Sequence, residues 1–358
     1  MDDLGCTPTP RNVMRHRATC KPTAIDLFSG CGGLTLGLRQ AGFNVCAAVE
    51  LDSKAQATYS ANHPRVRLFR ADIQSLAVAD ILRDVGLRAG ELDLLAGCPP
   101  CQGFSRLRTR NSDQAVEDPR NDLVFEFLRF ARQARPKTVM IENVPALQDD
   151  ARFQRLCRAL RGMGYKVIVE VLDAADFGVA QRRRRLILVA SRVHVPAMGK
   201  AVKHRRTVRD VLGALEEPAH TADLLHAVPE HRSPAVMKLV RQIPLDGGSR
   251  SKLPDSEQLA CHRRTKGFYD VYGRMAWDKV GPTITSGCIN PSKGRFLHPD
   301  QHRTITLREA ALLQGFPRTY RFDPNLGKEA IALMIGNALP PPFIRIHARA
   351  LRAGLDGA

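Results

Sequence analysis

The stretch Leu92–Ser105, LDLLAGCPPCQGFS, restricts what this chain can become more than any other. Leu92 to Ala96 is a short, largely apolar run that reads as a buried strand. Pro99 and Pro100 then fix φ and remove two backbone donors, so the strand must stop and the chain must turn. Cys101 is thereby expected in a stiff loop at the carboxyl end of a strand, where open α/β sheets bind ligands. Three roles stay open for it on these residues alone. It packs as a small hydrophobe, it pairs with Cys98 as a redox C-x-x-C or half of a zinc site, or it is a lone nucleophile. Zinc needs about four ligands, and the chain has no second C-x-x-C.

Other strand ends carry polar groups of a consistent kind. Thr23–Phe28 reads as a strand, Ser29-Gly30-Cys31-Gly32-Gly33 as a glycine loop, and Leu34 to Ala41 as an apolar-periodic helix. That order lets backbone approach a nucleotide-like ligand, although Thr35 stands where a dinucleotide fingerprint has its third glycine. A plain strand-to-helix turn is the simpler reading of the same residues. The next strand, Val45–Val49, ends in Glu50, placed either to accept ribose hydroxyls or to sit solvated at a strand tip. Val66–Phe69 leads to Asp72-Ile73, an acid that can accept from an adenine amino group beside an apolar side chain that can cover the ring. Together the glycine loop, Glu50 and Asp72 point to an adenosine-containing ligand. Asn121–Gln133 reads as a helix, and Lys137–Ile141 as a strand that brings Glu142-Asn143 to the same sheet edge as Cys101. A carboxyl in an apolar site has a raised pKa and can donate a proton. A helix over Phe153–Met163 and strands over Tyr165–Leu172 and Leu186–Ala190 complete the alternation. It predicts an α/β, doubly wound, mostly parallel sheet.

Charge narrows the partner. The chain carries 54 Lys+Arg against 36 Asp+Glu, a net +18, which favours a polyanion, nucleic acid before a membrane surface. Arg106 to Ser112 has basic residues at alternate positions beside Cys101 and reads as a loop closing over a phosphate backbone, or as a solvated charge run. Ten Lys/Arg and no acid lie between Arg182 and Arg209, starting with the run Arg182-Arg183-Arg184-Arg185. No apolar run approaches the ~20 residues that a bilayer needs. Residues 1–20 lack a signal-peptide core and read as a frayed extension, with Met14 a second candidate start. Nine cysteines without framework spacing fit reduced thiols. A soluble, cytoplasmic, nucleoid-associated protein is expected.

From residue 193 to 302 periodicity fails and an irregular second domain is predicted. Its Cys261-His262 and Cys288 match no zinc spacing, so no metal is expected. Gly281–Arg295 reads as turns that present Lys293 and Arg295 to phosphates. Thr306-Leu307-Arg308-Glu309 is a capping box opening a helix. Lys328–Ile335 is a helix broken at Gly336-Asn337-Ala338, and Phe343–Leu351 a final helix packing back on the first domain.

Taken in order, these segments resemble the DNA (cytosine-5) methyltransferases of bacterial type. The resemblance rests on Asp26–Gly33, Glu50, Asp72, Pro100-Cys101-Gln102, Glu142-Asn143-Val144, Gln181–Arg185, Arg303–Pro317 and Gly336-Asn337-Ala338. It spans roughly Thr23–Pro341, apart from most of 193–270. It implies a Rossmann-like methyltransferase fold, with a flexible extension over 1–20 and an S-adenosyl-L-methionine-binding catalytic domain over 21–192 plus 331–355. A smaller target-recognition domain would cover 193–330. The resemblance makes Cys101 the nucleophile that adds to carbon 6 of a flipped-out cytosine, and Glu142 the group that protonates ring nitrogen 3. Arg183 would hold the base and adduct, with Arg185 a weaker candidate. The methyl donor would lie among Phe28, Ser29, Gly30, Gly32, Gly33, Glu50, Leu51, Asp72, Ile73, Pro99, Leu123, Asn337 and Ala338. Gln102, Ser105, Arg106, Arg108, Arg185, Lys293 and Arg295 would meet double-stranded DNA, and Arg232, Arg250, Arg263 and Arg264 are candidate base readers.

Two positions depart from the family pattern: Leu51 replaces a common aromatic, and Leu339 precedes a triple proline. Cys98 becomes a scaffold residue on this reading. The protein would act as a monomer, in a restriction-modification system or as an orphan modification enzyme. The alternatives are an RNA cytosine-5 methyltransferase of the same fold, a nucleotide-binding redox enzyme using Cys98 and Cys101, and a non-catalytic DNA-binding relative. That last protein would be expected to lack Cys101 or Glu142, and both are present.

Overall fold

A computed structural model describes residues 21–100, 122–227, 231–258 and 270–357. Cys101, Gln102, Ser105, Arg106, Arg108, the rest of the basic stretch to Ser112, Cys261-His262, Arg263, Arg264 and the 1–20 extension lie outside these residues. The first half runs β1 (Thr23–Leu27), α1 (Gly33–Gln40), β2 (Asn44–Glu50), α2 (Ser53–Asn62), β3 (Arg67–Arg70), α3 (Val78–Asp84), β4 (Leu94–Gly97), α4 (Leu123–Ala134), β5 (Thr138–Asn143), α5 (Ala151–Gly162), β6 (Lys166–Asp173) and β7 (Arg184–Ser191).

These strands form one seven-stranded sheet in the order β3-β2-β1-β4-β5-β7-β6. β1 to β5 pair in parallel, whereas β7 is antiparallel to both β5 and β6. The expected mostly parallel, doubly wound sheet is therefore present. Strand order reverses between β1 and β4, which opens a crevice at their carboxyl ends. The hairpin β6–β7 folds back so that β7 enters between β5 and β6. Its first residues then lie beside the last residues of β5, with Leu186 opposite Asn143 and Ile187 opposite Glu142.

Alternate residues of the central strands leave by opposite faces. Ile25, Leu27, Leu95, Val139 and Ile141 pack against α3, α4 and α5. Ala24, Leu94, Ala96 and Met140 pack against α1 and the last helix of the chain. Burial on both faces explains why these strands read as nearly continuous apolar runs.

The second half contains α6 (Arg209–Leu212), α7 (Pro234–Gln242), α8 (Leu307–Leu313), α9 (Lys328–Asn337) and α10 (Pro341–Asp356). As expected, α10 returns to the sheet. A Cβ on Gly37 of α1 would come within 2.6 Å of Ile344 Cβ, so the glycine permits that close helix pair. The capping box of α8 forms in both directions, with Glu309 N donating to Thr306 Oγ1 at 3.2 Å and Thr306 N donating to Glu309 Oε2 at 2.7 Å. Between β7 and α8 the described backbone is mostly turns and short helical pieces around a separate core that includes Val208, Ile284, Phe296, Leu313 and Phe316. Ile331, Ala332 and Ile335 of α9 belong to that second core, and the Cys31 thiol of the glycine loop donates to Met334 O of the same helix at 3.7 Å. α2 has no apolar stripe and was not legible as a helix; Asp52 starts it by accepting from Ala55 N at 2.8 Å.

Candidate active site

The crevice at the β1/β4 reversal is built first by the glycine loop. Phe28 leaves β1 at φ 59°, a left-handed conformation uncommon for a bulky residue. Gly32 has φ 98°, and a Cβ there would meet the Tyr320 hydroxyl at 2.7 Å. A Cβ on Gly33 would lie 2.5 Å from Leu339 O, so this glycine lets α1 press against the turn after α9. Thr35, at the position of the missing third glycine, donates to Asp26 Oδ2 at 2.6 Å and shares a 2.8 Å hydrogen bond with the Tyr59 hydroxyl. Asp26 is fully buried and its Oδ1 has no hydrogen-bond partner. Burial pushes its carboxyl up from 3.8 to about 7, against the Thr35 hydrogen bond and with help from the Glu50 charge.

Glu50 closes the next side. Its Oε1 accepts from Leu51 N (2.9 Å) and Asp52 N (2.8 Å), and its Oε2 accepts from Gly30 N at 2.6 Å. A carboxylate offers about four acceptor positions, so one remains on Oε2. Burial raises the Glu50 pKa while these backbone donors lower it. Leu51 is 65% exposed beside it. Asp72 Oδ1 accepts from Gln74 N at 2.9 Å, which orients the acid at the start of a short turn of helix. Ile73 is buried in the first core, with partly buried Phe28 and Leu123 packed against the same core. Ser29 Oγ donates to Val49 O at 3.1 Å. Asn337 ends α9 in an exposed position and Ala338 follows it half-buried.

The other side of the crevice is the end of β4 and β5. Asn143 Nδ2 donates to Pro99 O at 2.8 Å while its Oδ1 accepts from Val144 N, so β5 holds the residues that lead into Cys101. Glu142 is 2% exposed. Its Oε2 accepts from the Cys98 thiol at 3.2 Å. Its Oε1 lies 3.0 Å from Arg185 Nε, an ion pair in which Oε1 still has no aligned hydrogen bond. Burial raises the Glu142 pKa; the Arg185 and Arg183 charges and the Cys98 thiol oppose it. The Cys98 thiol is held well above its ordinary range, first by burial and then by Glu142. It is therefore an S–H donor rather than a thiolate, which removes the reactivity that a redox pair would need from it. Cys98 is accordingly more than scaffold, since it is a polar partner of Glu142.

The arginine run divides by the strand alternation. Arg182 and Arg184 are exposed, whereas Arg183 is buried and Arg185 half-buried. Arg183 donates to Ile284 O (2.9 Å), Gly336 O (2.9 Å) and Ala338 O (3.3 Å). Arg185 thus sits on Glu142, while Arg183, the arginine expected to hold the base, holds backbone carbonyls.

Arg295 also departs from expectation. It donates to Arg274 O (2.9 Å), Gly248 O (3.1 Å) and Gly247 O (3.2 Å) and pairs with Asp270 at 3.1 Å, which makes it a brace of the irregular region rather than an open phosphate ligand. Lys293 stays exposed on its turn. Arg232 donates to Ile289 O at 2.6 Å, and Arg250 is buried with Nη1 3.3 Å from Gln258 Oε1. Exposure and partners of this kind have no local sequence signal.

Residues 23–353 match the family described as C-5 cytosine-specific DNA methylase. The chain belongs to this family. It is 35% identical over 347 residues to the type II methylase M.HgiDII of Herpetosiphon aurantiacus, covering 93% of this chain and 96% of that protein. It is 28% identical over 380 residues to the type II methyltransferase M.NgoPII of Neisseria gonorrhoeae, covering 98% of each. Among solved structures it resembles a protein described as a DNA modification methyltransferase encoded within an E. coli prophage, with a TM-score of 0.66, 25% identity, and coverage of 94% of this chain and 100% of that one. The fold is also shared with the Entamoeba histolytica methyltransferase EhMeth, at a TM-score of 0.65 and 16% identity over 94% of this chain and 99% of that one. As a C-5 cytosine DNA methyltransferase the chain is an enzyme of a family that takes its methyl group from S-adenosylmethionine. Among the described residues no helix is long and apolar enough to cross a membrane.

Proposed function

We propose that the enzyme methylates carbon 5 of a cytosine flipped out of duplex DNA, with Cys101 as nucleophile and Glu142 and Arg185 as its partners at the base. The observation that carries this reading is Glu142 itself. It is a buried carboxyl at the end of β5, with Oε2 held by a thiol and Oε1 against a guanidinium but without a hydrogen bond. Such an oxygen suits a base nitrogen that must be protonated as a nucleophile adds to the ring. Carbon 5 of cytosine is a poor nucleophile. Addition of the Cys101 thiolate to carbon 6 forms the C–S bond and moves electron density to carbon 5, and proton donation from Glu142 to nitrogen 3 relieves the charge that develops. Once carbon 5 has gained a methyl group, loss of its remaining proton to a base reforms the carbon 5–carbon 6 double bond, the C–S bond breaks with Cys101 leaving as the thiolate, and the nitrogen 3 proton returns to Glu142. A base in a stack is out of reach, so flipping at a cost of a few kcal/mol precedes all of this.

The residues present fit the methyl donor. A glycine loop, the remaining acceptor position on Glu50, the oriented Asp72 and an exposed Leu51 suit an adenosine, and the orphaned Asp26 Oδ1 beneath the loop suits a cationic ligand. Phe28, Ile73, Leu123 and Asn337 would complete the pocket. When bound, S-adenosylmethionine supplies an electrophilic methyl group. Residues 193–330 serve as the target-recognition unit, with Lys293 as a phosphate contact. The type II names of the relatives favour a role in a restriction-modification system; we further propose that the enzyme works as a monomer in the cytoplasm.

The test is transfer of tritiated methyl from S-adenosylmethionine to unmethylated duplex DNA, followed by bisulfite sequencing. Protected cytosines within one short motif are expected, and Cys101→Ser should abolish them while Cys98→Ser retains substantial transfer. Label entering RNA but no DNA, from folded protein that binds the donor, would overturn the substrate; equal loss in both cysteine variants would revive a redox role.

A further inference from the structure

Arg183 reaches from the base side of the crevice to its cofactor side. Its backbone N donates to Asp173 Oδ1 at 2.8 Å at the root of the β6–β7 hairpin, two residues before the Arg185 that pairs with Glu142. Its guanidinium ends on the carbonyls of Gly336 and Ala338, the two residues that flank Asn337. Other contacts hold the same turn. Gln314 Nε2 donates to Ala338 O, and Gln181 links Gln314 Oε1 (2.5 Å) to Ile284 N (2.9 Å). A Cβ on Gly336 would fall 2.3 Å from Ser286 N, so the turn is also wedged against the 284–286 backbone. Leu339 then lies over Gly33 of the glycine loop. Asn337 has no such grip of its own among these contacts; its neighbours on both sides are what is gripped.

We propose that Arg183 is a positioning residue for the methyl donor, acting through the Gly336–Ala338 turn to fix Asn337 beside the glycine loop, and that it makes no contact with the target base. The guanidinium reaches these carbonyls from two nitrogens held apart in one plane, Nη1 on Ile284 O and Nη2 on Gly336 O and Ala338 O, whereas an ammonium presents its three donors from a single point and cannot span the same positions. Arg183 and Arg185 therefore divide one strand end between two jobs, cofactor side and base side. The inference rests on the reading that Asn337 belongs to the donor pocket.

Equilibrium dialysis of the full chain with tritiated S-adenosylmethionine, without DNA, tests it. Arg183→Lys should weaken donor binding about tenfold or more, the scale of one lost charge-assisted hydrogen bond, while Arg185→Gln stays within about twofold of wild type. In an Asn337→Ala background the Arg183→Lys effect should shrink to about twofold or less, because the residue it positions is gone. Unchanged donor affinity in folded Arg183→Lys, multiplicative effects in the double variant, or an equal loss in Arg185→Gln each overturn the proposal. If Arg183→Lys does not fold, Gln314→Leu carries the same test, since it removes the other side-chain donor to Ala338 O; an unchanged affinity there is equally fatal. Wild-type protein that binds no donor would instead overturn the cofactor reading of the crevice.

Discussion

Asp26→Asn should reverse the sign of its effect on stability as pH rises. Asp26 is fully buried, one oxygen accepts from Thr35 and the other has no partner. Desolvation holds its pKa at about 7 instead of 3.8. A folded-state pKa above the unfolded one means that the folded chain keeps a proton which the unfolded chain releases. The stability this group contributes is complete below 3.8 and is lost as pH climbs to about 7. At about 1.36 kcal/mol per pH unit, the loss over some three units is about 4 kcal/mol. Asparagine imitates the protonated acid in shape and does not titrate. It places an amide N–H where Oδ1 finds no partner, a penalty of about 1–3 kcal/mol that does not depend on pH. From about pH 4.5 to about pH 8 the difference between variant and wild type should therefore swing by about 3 kcal/mol in the variant's favour. Urea unfolding of both proteins across that range measures it, provided the m-values agree. Other titrating groups are common to both chains and cancel. A difference that stays constant to about 0.5 kcal/mol would refute the claim that this carboxyl is desolvated and under-bonded.

Three further outcomes follow from the same contacts. The Cys98 thiol stabilises the ionised form of Glu142 by donating to it, so Cys98→Ala should carry the alkaline limb of the methyl-transfer pH profile to higher pH, with Cys98→Ser restoring it; an unmoved limb would separate the two residues functionally. Arg274 is fully buried and donates to Ile243 O (3.2 Å), His298 O (2.9 Å), Gln301 O (2.5 Å) and Val240 O (2.8 Å). Arg274→Met should cost about 3–5 kcal/mol, read by denaturant unfolding, and a loss below about 1 kcal/mol would mean that water replaces those donors. Lys293→Gln should lower the salt slope of DNA binding by about one, whereas Arg295→Gln should leave the slope unchanged and lower the melting temperature of the second half.

Much of the site was legible because its signals are local. Two prolines end a strand wherever they fall, and a capping box needs only four residues, so the end of β4 before Pro99 and the start of α8 followed from neighbours in sequence. Strand ends bearing Gly30, Glu50 and Asp72 were equally plain, since apolar runs and turn residues mark where each strand stops. The helix α2 escaped because its buried face includes Gln56 and Thr58 as well as Ala55 and Tyr59, which erases the apolar stripe.

What the chain by itself determined is the set of chemical groups and the strand ends that carry them: the Cys98 thiol after β4, Glu142 at the end of β5, Glu50 at the end of β2, and arginines at the start of β7. What only the tertiary structure decided is which of them meet. The period of two in a strand says that Arg183 and Arg185 share a face, but not that β7 runs against β5, and it is this reversal that sets Arg185 on Glu142. The partners of Arg183 lie 101 to 155 residues further along the chain, and those of Arg295 come from turns without periodicity. An arginine looks the same in sequence whether it faces water or a cage of carbonyls. Burial makes the difference, because a buried guanidinium must find acceptors for its N–H groups or lose the free energy of leaving water, and where those acceptors lie is a property of the packed chain.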